Sequence, residues 1–379
     1  MMRFSTLMRR PADWMVGGGP DSHIVLTSRI RLARNVQSFM FPGWARKDER
    51  QRSLEEIQPM VAALDQMQDG FQTELSSLDK LQKQVLVERH LISREHAARG
   101  AGCALVADRR QRVSIMINEE DHLRLQIIRP GLNFEEAWSL ADSIDNALEQ
   151  QLDYAFDNEW GYLTACPSNL GTGLRASAML HLPGLVLSEQ IGQVIKAVNK
   201  IGLAVRGLYG EGTEALGHLF QISNQSTLGE DEPAIIERLE RVLTQVVGHE
   251  DNARAKLTED KPTMLADQVA RAHAILGHCH ILTSKEALHH LSMLRLARDL
   301  GHWNCPDAAL LDMLLLEIQP AHLQLEAGRE LDAQPRDAMR AEITRRRLQT
   351  TPAPDTCFSK SPGTGASPRN AKTERTNDE

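Results

Sequence analysis

Val113-Ser114-Ile115-Met116-Ile117-Asn118-Glu119-Glu120-Asp121-His122-Leu123-Arg124-Leu125-Gln126-Ile127 is the stretch on which the fold turns. Val113, Ile115 and Ile117 recur at every second position, and Leu123, Leu125 and Ile127 repeat that rhythm beyond a polar interval. A period of two places side chains on one face of a strand, so the stretch predicts two strands joined by an acidic turn. Upstream, Ala104–Ala107 ahead of the turn at Asp108–Gln111 predicts a third strand. Together these predict antiparallel pairing.

Downstream the period changes. Asn133 followed by Glu136 predicts a capping box, opening a helix with Ala137, Leu140, Ala141, Ile144 and Leu148 on one face. Ile191, Val194, Ile195, Val198 and Ile201 predict a second helix, and short strands are expected at Leu203–Arg206 and His218–Ile222. The fold class is therefore α+β, an antiparallel sheet flanked by helices. After Pro262 strand signals thin out, and Leu288, Leu291, Leu294, Leu296 and the run Leu310–Leu316 predict a separate all-helical C-terminal domain. The expected organisation is a poorly structured lead-in over 1–21 with a Gly17-Gly18-Gly19-Pro20 breaker, then a catalytic domain over 22–255. A helical domain over 256–349 and a disordered tail rich in Pro, Ser, Thr and Gly over 350–379 complete it. The leucine-rich helices carry more apolar surface than one sheet face covers, which suggests a homodimer through that domain.

Bulk properties narrow the function. The chain has 379 residues, 41% hydrophobic and 25% charged, as in an ordinary globular protein. A net charge of −8 speaks against a general nucleic-acid binder, which needs excess cation to displace counterions. Five widely spaced cysteines without a Cys-x-x-Cys pair make a disulfide framework or zinc site a poor reading and point to a reducing cytoplasm. No apolar run suits a signal peptide or a membrane span.

Four segments carry candidate chemistry. In Ser28-Arg29-Ile30-Arg31-Leu32, a strand would aim Arg29 and Arg31 to one face, as two donor forks suited to phosphate; a solvated strand face is the alternative. Asn118–Arg124 offers three acids and an arginine, either a polar turn or a carboxylate facing a cation. Cys166-Pro167-Ser168-Asn169-Leu170-Gly171-Thr172-Gly173-Leu174-Arg175 is a glycine loop whose amides could approach an anion, although it is neither a P-loop nor a dinucleotide fingerprint. Arg206-Gly207-Leu208-Tyr209-Gly210-Glu211-Gly212 reads as a glycine-rich surface turn or as a loop closing on a ligand.

Taken in order, these four motifs resemble the phosphagen (guanidino) kinase family over about residues 22–250. Within it the chain is most similar to the bacterial protein-arginine kinases. Little chain precedes the first arginine motif, leaving no room for the helical N-terminal domain of the metabolite kinases. Position 179 is Met in Arg175-Ala176-Ser177-Ala178-Met179, where those kinases usually carry histidine, and Arg336-Asp337-Ala338-Met339-Arg340-Ala341 matches a phosphoarginine-sensing motif.

The resemblance implies the following assignments. Glu120 and Glu211 grip the substrate guanidinium and accept its proton, and Cys166 lies near it as a thiolate. Arg29, Arg31, Arg124, Arg175 and Arg206 cradle the phosphates of ATP. The motif neighbours Ser28, Ile30, Leu32, Ala176, Ser177, Ala178, Met179, Gly207, Leu208, Tyr209 and Gly210 border the nucleotide, and His90 contacts it. Mg²⁺ is held by ATP oxygens and water, so no protein metal motif is expected. Arg336, Asp337, Arg340 and Ala341 bind phosphoarginine; in sequence terms, Arg336 and Arg340 share a helix face that could equally be a solvated one. Implied partners are proteins carrying arginine, activator or adaptor proteins, and a Clp-type protease system, in protein quality control or stress response. A kinase for free arginine or another small guanidino compound, and a non-catalytic phosphoarginine adaptor, are the alternatives.

Overall fold

The computed structural model describes residues 2–207, 215–305 and 309–358. Its strands are β1 (Val25–Arg34), β2 (Phe71–Glu74), β3 (Ala104–Ala107), β4 (Val113–Ile117), β5 (Leu123–Pro130), β6 (Phe156–Asp157), β7 (Gly161–Tyr162), β8 (Leu174–His181), β9 (Leu203–Gly207) and β10 (Leu219–Asn224). Eight of them form one antiparallel sheet in the order β2-β3-β4-β5-β1-β8-β10-β9, and β6 pairs only with β7. The alternation in the opening stretch produces β4 and β5 as expected, paired in register from Val113–Ile127 to Ile117–Leu123.

The sheet has two unlike faces. Ile30 and Leu32 of β1, Leu125 and Ile127 of β5, Ala176 and Ala178 of β8 and Ile222 of β10 are buried in the main core. The helices Phe134–Glu149 and Glu232–Asp260 cover them with Ala137, Ala141, Ile144, Ile235, Leu239 and Leu243. Burying each large aliphatic side chain contributes about 1.5–3 kcal/mol, so this face fixes the register of every strand. The other face carries the alternate positions: Arg29 and Arg31, Arg124 and Gln126, Arg175 and Ser177, and Gln221. Register pairs Arg31 with both Arg175 and Gln126, and Arg29 with Ser177. A polar, arginine-rich face is thus the geometric complement of a well-packed one.

The helical region, from Pro262–His278 to Ala333–Leu348, has its own core. Leu288, Leu291, Leu294 and Leu296 are at most 2% exposed within it. Those leucines are covered by their own chain, which removes the apolar excess from which a homodimer was inferred. Polar contacts join the two regions. Ser292 Oγ lies 2.7 Å from both His181 Nε2 and His218 Nδ1. Glu250 accepts the amides of Gly184 and Leu185 at 2.8 Å and pairs with Arg254, which faces Asp299 at 3.6 Å.

Three expectations need correction. The lead-in is not loose: Phe4–Met8 is helical, Asp13–Met15 forms a 3-10 turn, and Leu7, Ala12, Trp14 and Met15 are buried. These elements are too short for a period to be legible, and their burial comes from the sheet they lie against. The start of the tail also packs, since Phe358 is buried and stacks on His302 with ring centroids 4.0 Å apart; residues 359–379 lie outside the described residues. Finally, no capping box forms at Asn133. Its amide donates to Ser28 Oγ at 3.0 Å, and Glu136 pairs with Arg129 instead.

Candidate active site

The polar face gathers all five cradle arginines, with Arg206 opposite Gln221 at its edge. Arg29 donates through Nε to Ser177 Oγ (3.2 Å) and through a terminal nitrogen to Gln221 Oε1 (3.0 Å). Burial, with Arg124 nearby, lowers its pKa to about 10. Arg31 goes further. Burial and then Arg29, Arg124 and Arg175 drive its pKa well down, against a weak pull from Glu119. Its Nε finds no hydrogen-bond partner among the described residues. Like charges in a desolvated setting repel, so this face relies on the packed face behind it to hold it together. Arg175 donates to Asn224 O (3.0 Å) and Ser168 Oγ (3.3 Å), while Arg206 stands exposed at the rim on β9. A dense, partly desolvated set of cations fits a polyphosphate.

Beside Arg29 the face deepens into a cavity lined by Trp14, Thr27, His90, Ile128, Met179 and Gln221 among others. His90 sits at φ +59°, its carbonyl accepts from Gln126 Nε2 at 2.5 Å, and its ring leans on Trp14 at 5.6 Å. Burial, and Arg29 after it, depress its pKa to about 4, so the imidazole is neutral. The sequence reading missed Trp14; a lone aromatic before a glycine cluster was the only signal. Ser28, Ile30 and Leu32 were predicted at this site, but their side chains are turned to the opposite face. Ser28 Oγ donates to Gly131 O at 2.8 Å, and the other two lie in the core. Ala176 and Ala178 are likewise core residues, although Ala178 also borders the cavity with Ser177 and Met179.

The acidic turn divides its labour. Glu119 is buried and binds Arg124 at 2.6 Å and the Ser93 hydroxyl at 2.5 Å. Burial pushes its pKa up, but Arg124, Ser93 and the Glu120 amide together bring it below the ordinary range. Asp121 is buried too, and its Oδ1 accepts from Asn35 Nδ2 and from the Ala165 amide, both at 2.7 Å. Asn35 in turn reaches Leu163 O at 3.0 Å and takes the His122 amide at 3.0 Å. His122 Nδ1 accepts the Val36 amide, so the proton is assigned to Nε2, which donates to Met40 O at 3.1 Å. Burial lowers the His122 pKa to about 4. Only Glu120 is left partly exposed, and burial, then Asp121, raise its carboxyl pKa despite Arg124. Of the three acids, Glu119 and Asp121 are thus engaged within the protein, while Glu120 keeps a partly exposed carboxylate.

Through Asp121 the acidic turn also holds the cysteine loop. Cys166 is partly exposed with Sγ 3.1 Å from Ser168 Oγ, the same hydroxyl that Arg175 reaches. Ser168 was quoted in the motif but given no role. The glycines, read as an anion-approaching loop, act otherwise. Gly171 at φ +103° and Gly173 at φ +66° let the backbone press on Thr227 O and Ala33 O, where a Cβ would stand at 2.4 and 2.6 Å. The amide of Thr172 is committed to Thr227 O and that of Leu174 to the Thr172 hydroxyl. Leu208, Tyr209, Gly210 and Glu211 lie outside the described residues; Gly207 ends β9.

The Arg336–Ala341 motif sits elsewhere, on the helix Ala333–Leu348, which begins before Pro335 rather than after it. Arg336 faces a groove with Lys80, Lys83, Arg94, Glu88 and Gln324. Arg340 is 1% exposed and donates to Ile318 O (3.0 Å), Leu282 O (2.7 Å) and Asp337 (2.5 Å). Ala341 is buried in the helical core. Glu88 closes the groove by accepting the amides of Ala321 (2.8 Å) and His322 (3.0 Å). Among the described residues no group of histidines, cysteines and acids could hold a metal, and no helix is long and apolar enough to cross a membrane.

Residues 54–253 match the model of the ATP:guanido phosphotransferase C-terminal catalytic domain, and residues 262–358 match that of the protein-arginine kinase McsB C-terminal domain. A protein-arginine kinase of Moorella thermoacetica is 47% identical over 344 residues, spanning 90% of this chain and 98% of its own. One of Halalkalibacterium halodurans is 48% identical over 341 residues, spanning 89% and 95%. Among solved structures, a lombricine kinase superposes with TM-score 0.56 at 27% identity, over 65% of this chain and 73% of its own. A duplicated taurocyamine kinase of Schistosoma mansoni gives TM-score 0.56 at 23% identity, over 68% of this chain and 39% of its own, a likeness of fold alone.

Proposed function

Since the chain belongs to the ATP:guanido phosphotransferase family, in the branch of the protein-arginine kinases, we propose that it transfers the γ-phosphoryl group of Mg-ATP to arginine side chains displayed on other proteins. The observation that carries the site assignment is the division of the acidic turn. Glu119 is committed to Arg124 and Asp121 to the cysteine loop, which leaves Glu120 for a substrate cation.

A guanidinium is protonated and weakly nucleophilic at neutral pH. Glu120 orients the planar fork and accepts one N–H proton as that nitrogen bonds to phosphorus and the bond to the ADP oxygen breaks. Its raised pKa brings it closer to the proton it must take. Glu211 is assigned to the opposite edge by its motif. Arg29, Arg31, Arg124, Arg175 and Arg206 hold the phosphates and neutralise charge as it moves; the uncompensated Arg31 is the residue most in need of an anion. His90 and Trp14, beside Arg29, are assigned to border the rest of the nucleotide. Cys166 is assigned to the guanidinium side, and its link to Arg175 through the Ser168 hydroxyl supports that reading. Mg²⁺ would supply charge neutralisation at the phosphates and would be held by nucleotide and water oxygens.

In the helical region we assign phosphoarginine binding to Arg336 and Asp337, with Arg340 positioning Asp337 from within the core. The family resemblance supports a cytoplasmic setting in protein quality control. It also supports adaptor and Clp-type protease partners. The test offers Mg-ATP with an unstructured arginine-containing protein, or with free arginine, to the wild type, Glu120→Gln and Glu211→Gln. Acid-labile phosphate on the protein, lost in both variants, is the expected result. Transfer to free arginine alone would assign a metabolite kinase, and none to either an adaptor.

A further inference from the structure

Trp14 is well packed and yet incomplete. It is buried in a cluster with Ile128 and Met179 of the sheet and Leu316 of the helical region. Its turn is fixed, since the Asp13 amide donates to Arg110 O at 3.0 Å and the Asp13 carboxylate pairs with Arg129 at 3.1 Å. The indole Nε1, however, is buried without a hydrogen-bond partner among the described residues. A phenyl ring would pack in such a cluster without stranding a donor, and a buried donor left unmade is costly. An orphaned donor in the wall of a ligand cavity points to an acceptor on the ligand.

Strand register tells which part of the ligand that is. On the polar face Arg31 lies opposite Arg175, Arg29 opposite Ser177, and Thr27 opposite Met179. At ~3.4 Å per residue these rows are about 7 Å apart. Arg124 continues the ladder beyond Arg31, opposite Ala33, and acts on the Glu120 carboxyl. The transferred phosphoryl group belongs at that end, and the triphosphate runs along the arginine rows. The Thr27–Met179 row carries no charge. Trp14, His90 and Ile128 stand beside it around a cavity of about 30 Å³, room for the edge of a planar ring or about two waters. His90 is neutral, so it adds no cation to hold phosphate there.

We propose that Trp14 reads the base of the nucleotide: the edge of the purine enters this cavity, and one of its ring nitrogens accepts a hydrogen bond from the Trp14 indole N–H. The inference rests on the ATP-dependent kinase reading and deepens it at the nucleotide end. Purines carry bare ring nitrogens as acceptors. Phosphate oxygens are drawn instead to the guanidinium groups, whose charge-assisted bonds are the stronger. Residues 54–253 match the catalytic-domain model, so the lead-in turn brings a base contact from outside that span. Leu316, on the helix Leu310–Glu317, backs the indole from the helical region.

The test compares Mg-ATP with its 1-deaza, 3-deaza and 7-deaza analogues, each replacing one ring nitrogen by C–H, as phosphoryl donors to one arginine-containing protein. In the wild type one analogue is expected to raise the nucleotide KM about tenfold with kcat little changed. Trp14→Phe should raise the KM for ATP to that level and treat the same analogue no worse than ATP. Equal KM for every nucleotide in the wild type overturns the proposal, as does a deaza penalty that survives undiminished in Trp14→Phe. Indole N–H resonances of the wild type give a reading independent of turnover and of how the variant folds. Among the five tryptophans, the Trp14 signal, assigned through its contacts with His90 and Met179, is expected to move with Mg-ADP and to stay with tripolyphosphate. A signal that moves equally with both assigns the indole to phosphate, and one that moves with neither assigns it to packing; either overturns base reading. Movement with Mg-ADP, but no transfer to protein from any nucleotide, would sink the kinase reading while the base contact stands.

Discussion

Two arginine pairs look alike in sequence and end differently in space. Arg29 and Arg31 share a face of β1; Arg336 and Arg340 share a turn of the last helix. In the first pair both guanidinium groups are desolvated among further arginines, and Arg31 keeps a nitrogen without a partner among the described residues. In the second pair Arg340 is the more deeply buried, at 1% exposed, yet two carbonyls and Asp337 surround it. The difference separates a cation held ready for a ligand from a cation that ties helices together. The deeper burial belongs to the structural arginine, so it is the supply of counter-charge that marks the other kind.

Breaking the contrast at its strongest point should have the largest effect. Arg31→Met is expected to cut phosphoryl transfer by about 10³-fold or more, since charge neutralisation carries this chemistry. The same change should stabilise the protein by about 1–3 kcal/mol, because it removes a buried, repelled charge. Calorimetry beside a transfer assay reads both, and a lower melting temperature would contradict the account of Arg31. Glu120→Gln comes next, with a loss of about 10²–10⁴-fold in kcat and no change in melting temperature. Glu119→Gln should show the reverse emphasis, destabilising by about 3 kcal/mol as Arg124 loses its partner.

On the helical side, Arg340→Met is expected to cost about 3–5 kcal/mol by stranding Asp337 and two carbonyls. Arg336→Ala should stay within about 0.5 kcal/mol in stability yet abolish phosphoarginine capture in a calorimetric titration. If Arg336→Ala proved the more destabilising of the two, the assignment of roles would be inverted.

The smallest effect sharpens the comparison by pH. Glu120 must be ionised to accept a proton and its pKa is raised, chiefly by burial, so kcat/KM should fall at a pH above the ordinary glutamate range. Glu119 is shifted the other way. Its stabilising pair with Arg124 is fully present above the unfolded carboxyl pKa and is lost only as pH falls through the lower folded value. Activity should therefore decline before stability does, as rate and fluorescence melts over one pH series would show.

The alternation of Val113–Ile117 and Leu123–Ile127 made the strands legible, because a period of two leaves its mark in any sequence. Placement of Arg29 and Arg31 on one face followed from the same rule. Trp14 could not be read, since its role depends on a sheet contact remote in sequence. Nor could the burial of Arg340, where i and i+4 spacing reports a shared face but not what faces it. The motif assigned Glu120 among the three acids; that Glu119 is held by Arg124, and Asp121 by Asn35 and Ala165, could not be read, because spacing does not bring those partners together.

Asn35, Asp121 and His122 are each at most 1% exposed, and they accept the amides of His122, Ala165 and Val36 in turn. Side chains here take over from strand pairing, so two connecting segments inherit the protection of the sheet they hang from. In deuterium exchange those three amides are expected among the slow sites, opening together with β1 rather than at the pace of surface loops. Asn35→Ala should release all three at once, and independent release would show that the segments are separately held.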